Sequence, residues 1–245
     1  MHSQTHPPIA SHLIVITGVG RAGQVGEALA RHFAQLGASL ALLDLNGDEA
    51  KARAADLTPV RDGQCFTAHA ANLADAAEAQ RTAAEVLAQH QTTAVHGVIC
   101  TAGGFGMTGP LADADPDAWH KQFIINLDTA FATTRAFLPA LRDGKGSLVY
   151  FGSAAALPDG SPKGMAAYAA AKSGVLTLMR TVAVDERKNG VRANAVAPTS
   201  IRTATNMADM GDKTDYVERE SVAEVIAFLL STAARNVTGQ VLKLS

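Results

Sequence analysis

Seven short apolar runs alternate with six longer segments in which apolar residues recur at helical spacing. The runs cover residues 12–17, 39–44, 64–68, 95–100, 147–151, 191–196 and 240–244. Each reads as nearly continuous hydrophobic sequence, the pattern of parallel strands covered on both faces, and not as the strict alternation of a half-exposed sheet. Helices are predicted over 26–36, 47–57, 74–89, 119–142, 165–189 and 221–231. This order predicts an α/β protein with a doubly wound, seven-stranded parallel sheet flanked by helices. No repeat, low-complexity tract or linker divides the chain. Residues 12–245 therefore read as one domain behind a disordered leader, 1–11, whose first residues are polar and carry two prolines.

Composition narrows the function. Of 245 residues, 47% are hydrophobic and 18% charged, and the formal net charge is -2. No basic stripe marks a nucleic-acid binder. The two cysteines, Cys65 and Cys100, suggest neither a disulfide framework nor a zinc site and suit a reducing, cytoplasmic setting. The eight histidines show no metal-ligand spacing, so no metal is expected. No apolar run approaches the roughly 20 residues that cross a bilayer, and no membrane span is expected.

In doubly wound sheets, ligands sit at the carboxyl ends of the strands. The first strand runs into Thr17-Gly18-Val19-Gly20-Arg21-Ala22-Gly23-Gln24-Val25-Gly26 and then directly into a helix. Glycines let the backbone approach a pyrophosphate, and the helix N-terminus supplies unpaired N–H groups and a positive dipole. The plainer alternative is an ordinary strand–helix turn. Placement between first strand and first helix favours a Rossmann-like dinucleotide loop. The second strand ends in Asp44, suited to accept from both adenosine ribose hydroxyls and to repel a 2′-phosphate; it is equally suited to cap the next helix. Arg21 pulls the other way, towards a 2′-phosphate. NAD(H) is the preferred cofactor, with NADP(H) the alternative.

The fifth strand stops at Ser153, and fifteen residues later comes Tyr168, four before Lys172. That spacing places Tyr168 and Lys172 one turn apart on one helix face. A phenol has an ordinary pKa near 10, about three units above neutral pH. A nearby ammonium and an oxidised nicotinamide both favour the phenolate. Tyr168 would then exchange a proton with an alcohol or carbonyl, Ser153 would hold the substrate oxygen, and Lys172 would orient the nicotinamide ribose.

At this point the chain resembles the classical short-chain dehydrogenase/reductase family, from about His12 to Leu244. The resemblance implies a tetrad of Asn126, Ser153, Tyr168 and Lys172, with Asn126 on a kinked helix that admits a relay water. It implies cofactor contacts from Gly18, Gly20, Arg21, Gly23, Val25, Gly26, Asp44, Leu45, Asn72, Leu73, Ala102, Gly103, Pro198, Ile201 and Thr203, besides Tyr168 and Lys172. It further implies a substrate lid at about 204–220, with Met207 and Met210 as its apolar members, and a homodimer or homotetramer built on the two long helices. Several positions depart from the family pattern. The glycine loop is two residues longer and carries Gln24 where glycine is usual. Cys100 and Thr101 replace a pair of asparagines, and Thr199 replaces a glycine.

The leading expectation is thus hydride transfer between NAD(P)(H) and a small alcohol or carbonyl substrate. The alternatives are a binding-only nucleotide sensor or scaffold and, less suited to the Tyr–Lys pair, a methyltransferase of similar architecture. Phe105, Met107 and Met165 are expected at the substrate wall. Trp119 is expected as a core anchor, Cys100 as a buried hydrophobe, and Asp159 and Lys163 as a solvated turn.

Overall fold

The computed structural model describes residues 9–245. Seven parallel strands form one sheet in the order β3-β2-β1-β4-β5-β6-β7. They are β1 (Leu13–Thr17), β2 (Ser39–Asp44), β3 (Phe66–Ala70), β4 (Gly97–Cys100), β5 (Ser147–Phe151), β6 (Arg192–Pro198) and β7 (Val241–Leu244). Helices α1 (Val25–Gln35), α2 (Gly47–Ala55), α3 (Ala76–Gln89), α4 (Pro116–Phe123), α5 (Thr129–Gly144), α6 (Ala166–Asp185), α7 (Ala204–Met210) and α8 (Arg219–Leu230) complete the single domain.

The apolar runs become strands because both faces are buried. Along β1, Leu13 and Val15 point into one core with Phe137, Leu141 and Met179. Ile14 and Ile16 point into the other, with Leu29, Phe33 and Ile226. Burying a side chain of this size contributes roughly 1.5–3 kcal/mol. Short polar residues start the helices: Asn46 accepts from Asp48 N, Asp75 from the amides of Ala77 and Glu78, and Asp115 from those of Asp117 and Ala118. Lys145 and Gly190 take left-handed conformations where the chain turns back into β5 and β6.

Several boundaries differ from expectation. The third strand begins at Phe66, two residues later than expected, because the Gln64 side chain donates to Ala34 O and Ala38 O and so belongs to the connection. Asp75 is a cap, which delays α3 to Ala76. The helix expected over 119–142 is two helices joined by a π-helical segment, Ile124–Asp128, in which Thr129 N reaches back to Ile124 O. Of the expected leader, residues 9–11 form a 3-10 turn and residues 1–8 lie outside the described residues. Trp119 is half-buried and lies against Phe123 with ring centroids 5.4 Å apart, at the rim and not in the core. Among the described residues, no helix is long and apolar enough to cross a membrane, and no group of His, Cys, Asp or Glu could hold a metal ion.

Candidate active site

The carboxyl ends of β1, β2, β4, β5 and β6 converge on one edge, and the expected site residues lie along it. Gly18, Gly20 and Gly23 all have positive φ, which L side chains rarely adopt. A Cβ on Gly18 would lie 2.6 Å from Ala102 Cα, and one on Gly26 would lie 2.3 Å from Val19 O. Only glycine permits these approaches of the loop to β4 and of α1 to its own connection. Gln24 caps α1 without a side-chain hydrogen bond, so the first-turn amides, including those of Val25 and Gly26, receive no acceptor from it.

Two loop amides already have carboxylate partners. Gly20 N donates to Asp44 Oδ2 at 2.8 Å, and Gly23 N donates to Glu27 Oε2 at 2.6 Å. Asp44 Oδ1 also accepts from Asn46 N at 2.9 Å. The helix-capping role open to Asp44 falls to Asn46 instead, and Asp44 fastens the glycine loop to the end of β2. An open cleft of about 630 Å³ lies beside it, walled by Asp44, Leu45, Gly47 and Lys51. Lys51 was missed in the sequence; it pairs with Asp48 at 3.5 Å on the exposed face of α2 and carries no motif. Arg21 is exposed on the loop. Asn72 is held locally: its amide donates to Glu78 Oε1 and its side-chain oxygen accepts from Ala74 N. Leu73 is a core side chain and is not among the residues that wall the cleft.

At the end of β4, Thr101 stands in for an asparagine by a different set of bonds. Its hydroxyl donates to Thr17 O, while Thr17 Oγ1 accepts from Ala102 N at 3.2 Å. Cys100 is buried, and its thiol is pushed up to about 12, so it is an inert hydrophobe as expected.

Asn126 and Lys172 meet at Gly103, Tyr168 lies one turn before Lys172, and Ser153 bonds to the Tyr168 hydroxyl. Asn126 sits in the π segment, and its Nδ2 donates to Gly104 O and Gln122 O, each at 3.0 Å, while its Oδ1 accepts from Gly104 N at 3.2 Å. The wider turn frees backbone carbonyls, and the Thr129 hydroxyl reaches those of Ile125 (2.8 Å) and Asn126 (3.2 Å). A Cβ on Gly103 would meet Asn126 Oδ1 at 2.6 Å and Lys172 Nζ at 3.4 Å, so both groups converge on that glycine. Lys172 is buried and donates to Phe151 O at 2.9 Å. Its Nζ lies 5.9 Å from the centre of the Tyr168 ring. Ser153 Oγ accepts from Ala155 N at 3.2 Å, which leaves its proton side for a partner beyond the strand.

The charges correct one expectation. Burial raises the Tyr168 phenol above its ordinary range, the Ser153 hydroxyl pulls it back down, and Lys172 is not among the causes. Lys172 itself is pushed down to about 8 by burial. In the protein alone, the lysine is itself desolvated and donates to a carbonyl, and it does not produce an acidic phenol. The other tyrosine near this sheet, Tyr150, is fully buried with its hydroxyl bonded to Thr134 at 2.7 Å and takes no part in the site.

A cavity of about 170 Å³ opens in front of Tyr168 and Lys172, walled by Gly104, Phe105, Pro198, Thr199 and Asn206. Phe105 stands edge-on to the Tyr168 ring with centroids 5.2 Å apart. Phe105 is exposed at the mouth; Met107 is exposed too, but its end lies beside Gly164 and it is not among the residues that wall the cavity. Thr203 caps α7 by accepting from Asn206 N, and Asn206 Nδ2 donates to Ile201 O, so the segment beyond Pro198 is rigidly folded. The lid is more ordered than its polar sequence suggests. The buried Tyr216 donates to Asn206 O and Gly211 O, and Val217 bridges Ile201. Met207 and Met210 are therefore not its only apolar members. Gln24 Nε2 donates to Thr205 Oγ1 at 3.0 Å, and Ala204 N to Gly23 O at 3.0 Å, which ties the lid to the glycine loop. Asp159 lies in an exposed turn, as expected, and pairs there with Lys243 at 2.7 Å.

A glycine loop at a helix N-terminus, an acid at the end of β2 and a Ser–Tyr–Lys cluster beside a small cavity define a nicotinamide-dependent dehydrogenase site. A family model described as enoyl-(acyl carrier protein) reductase matches residues 18–245. The chain belongs to the short-chain dehydrogenase/reductase family and is an NAD(P)(H)-dependent oxidoreductase acting on CH–OH groups or the corresponding carbonyls. It is 34% identical to 2-(S)-hydroxypropyl-CoM dehydrogenase 3 of Xanthobacter autotrophicus, covering 94% of each chain. It is 30% identical to meso-2,3-butanediol dehydrogenase of Serratia marcescens, over 93% of this chain and 90% of that one. The solved structure of levodione reductase superposes with a TM-score of 0.84 at 27% identity, covering 96% of both chains. These names speak for catalysis and not for the binding-only alternative.

Proposed function

We propose that the chain interconverts small, largely apolar secondary alcohols and ketones, with NAD(H) preferred and Tyr168 as the proton-transferring group. The observation that carries this reading is one small cavity walled by Tyr168, Lys172 and Phe105, with Ser153 bonded to Tyr168 and Asn126 meeting Lys172 at Gly103. The residues present fit a dinucleotide: the Gly18–Gly26 loop and the first turn of α1 would hold its pyrophosphate, Asp44 and the Leu45 backbone its adenosine ribose, and Asn72 and Leu73 the edge of its adenine. Ala102, Gly103, Pro198, Ile201 and Thr203 would flank the nicotinamide half. When bound, the cofactor supplies a carbon that accepts or returns hydride and, oxidised, a positive charge beside the phenol.

In alcohol oxidation, Ser153 donates a hydrogen bond to the substrate oxygen and Tyr168 takes the hydroxyl proton as the C–H bond yields its hydride. Lys172 holds the nicotinamide ribose and carries the proton onward towards Asn126 and solvent. The reverse sequence reduces a ketone. Burial raises the Tyr168 phenol, and an oxidised nicotinamide held beside it would favour the phenolate. Asp44 favours an unphosphorylated ribose, although both carboxylate oxygens must be released or shared when the ribose binds. Phe131 on α5 and Val184 on α6 are large and exposed, and they support pairing of these helices between copies in a homodimer or homotetramer. The unpaired thiols support a cytoplasmic location.

The test is turnover of a panel of secondary alcohols and ketones with each coenzyme, followed by nicotinamide absorbance. The reading expects at least one turned-over pair, with kcat/KM about tenfold or more higher for NAD(H), and an Asp44→Ala variant that erases the preference. Saturable NADH binding without hydride transfer to any carbonyl would instead identify a binding-only protein.

A further inference from the structure

Beneath the amino ends of β1, β4, β5, β6 and β7, at the edge of the sheet opposite the active site, lies a second cavity of about 590 Å³. Its walls carry Lys145 from the α5–β5 connection, Arg187 from the α6–β6 connection, Arg192 at the start of β6 and Arg235 from the α8–β7 connection. Asp143 is the one carboxylate among its lining residues. Among the described residues, none of the four cations is in an ion pair. The nearby Glu186 is already taken by Arg142 at 2.7 Å. A concavity with a local excess of positive charge thus exists on a chain of formal net charge -2.

One of the cations is held in place. Arg192 donates to Leu229 O at 2.7 Å and to Val237 O and Ser231 O at 3.4 Å, all neutral acceptors near the end of α8. Those carbonyls fix the guanidinium without cancelling its charge. The stem of Lys145 lies against Gly190, where an added Cβ would stand 3.4 Å from Lys145 Cγ. His12 and His96 stack beside them, with centroids 4.5 Å apart and planes 4° from parallel. His96 Nδ1 accepts from Leu13 N at 3.2 Å, which fixes the orientation of that ring. A merely solvated basic face would spread its cations over a convex surface. Here cations from three separate connections line one hollow, where their fields add.

We propose that this cavity binds a phosphate-bearing small molecule, with the guanidinium groups and Lys145 gripping the phosphate oxygens. Its volume falls in the range of small-ligand sites, about 300–1,000 Å³. A free oligophosphate and the phosphate chain of a nucleotide present the same chemistry. The test is calorimetric titration at low salt with tripolyphosphate and, separately, with ATP, using full-length protein saturated with NADH so that the dinucleotide site is blocked. The expected result is one ligand per chain, with affinity falling at least tenfold in a Lys145→Ala/Arg187→Ala variant and in Arg235→Ala, while hydride-transfer rates stay unchanged. Tighter binding of ATP would identify a nucleotide, and equal affinities the phosphate chain alone. Absence of binding heat with either probe, or equal affinities in native protein and both folded variants, would overturn the proposal.

Discussion

Tyr168 and Lys172 show how far burial works against the chemistry that their spacing suggests. The phenol is raised by desolvation and Lys172 is pushed down to about 8. An unfolded lysine titrates near 10.4. Between about pH 8 and 10 the folded protein therefore binds fewer protons at this site than the unfolded chain, and this group's contribution to stability rises with pH. Chemical denaturation of cofactor-free protein at pH 7.5 and 9.5, set against Lys172→Met, should show the native protein gaining about 1–3 kcal/mol relative to the variant. A constant difference would mean that Lys172 titrates normally. The residue types and the four-residue spacing of this pair were legible in the chain, as was the strand-end position of Ser153. The bond from Gly20 N to Asp44 was not, because it exists only once the loop and the end of β2 are folded together.

The same division holds for elements. Continuous apolar runs marked the strands that are buried on both faces, such as β1, β4 and β5, because such burial leaves no polar phase to misread. The half-polar third strand was displaced, since Phe66-Thr67-Ala68-His69-Ala70 lacks such a run and the Gln64 side chain fixes its start from outside the ladder. Helical periodicity carried smoothly through 119–142, so the kink at Asn126 was legible only through the family resemblance; its single shifted turn places Asn126 beside Gly104. The lid was underestimated because Tyr216 acts through backbone carbonyls ten and five residues away. Gln24 gains a reason here: it reaches Thr205 and joins the glycine loop to α7. A Gln24→Ala variant should lose about 1 kcal/mol or less of global stability, since the bond is exposed. It should nevertheless accelerate amide exchange in residues 204–210 well beyond that in β1. Unchanged exchange there would show that Tyr216, Asn206 and the Ala204–Gly23 bond hold the lid without help from Gln24.

At the scale of the molecule, a two-faced core gathers the loops of five strand ends at one edge, and catalysis is placed there by the fold and not by any single motif. The outward faces of α5 and α6 leave Phe131 and Val184 exposed, half or more of each, which suits a surface covered by another copy. Light scattering should give a small multiple of 25.4 kDa, and Phe131→Arg should shift it towards one chain; a native monomer would contradict the pairing. The central claim is that the Tyr168 hydroxyl moves the proton while hydride moves on the cofactor. It is tested most directly by single-turnover hydride transfer in native protein and Tyr168→Phe, with NADH affinity measured in both. The account predicts a rate lower by about 10²–10⁴ with affinity changed less than about threefold. Equal transfer rates in the two proteins would contradict it.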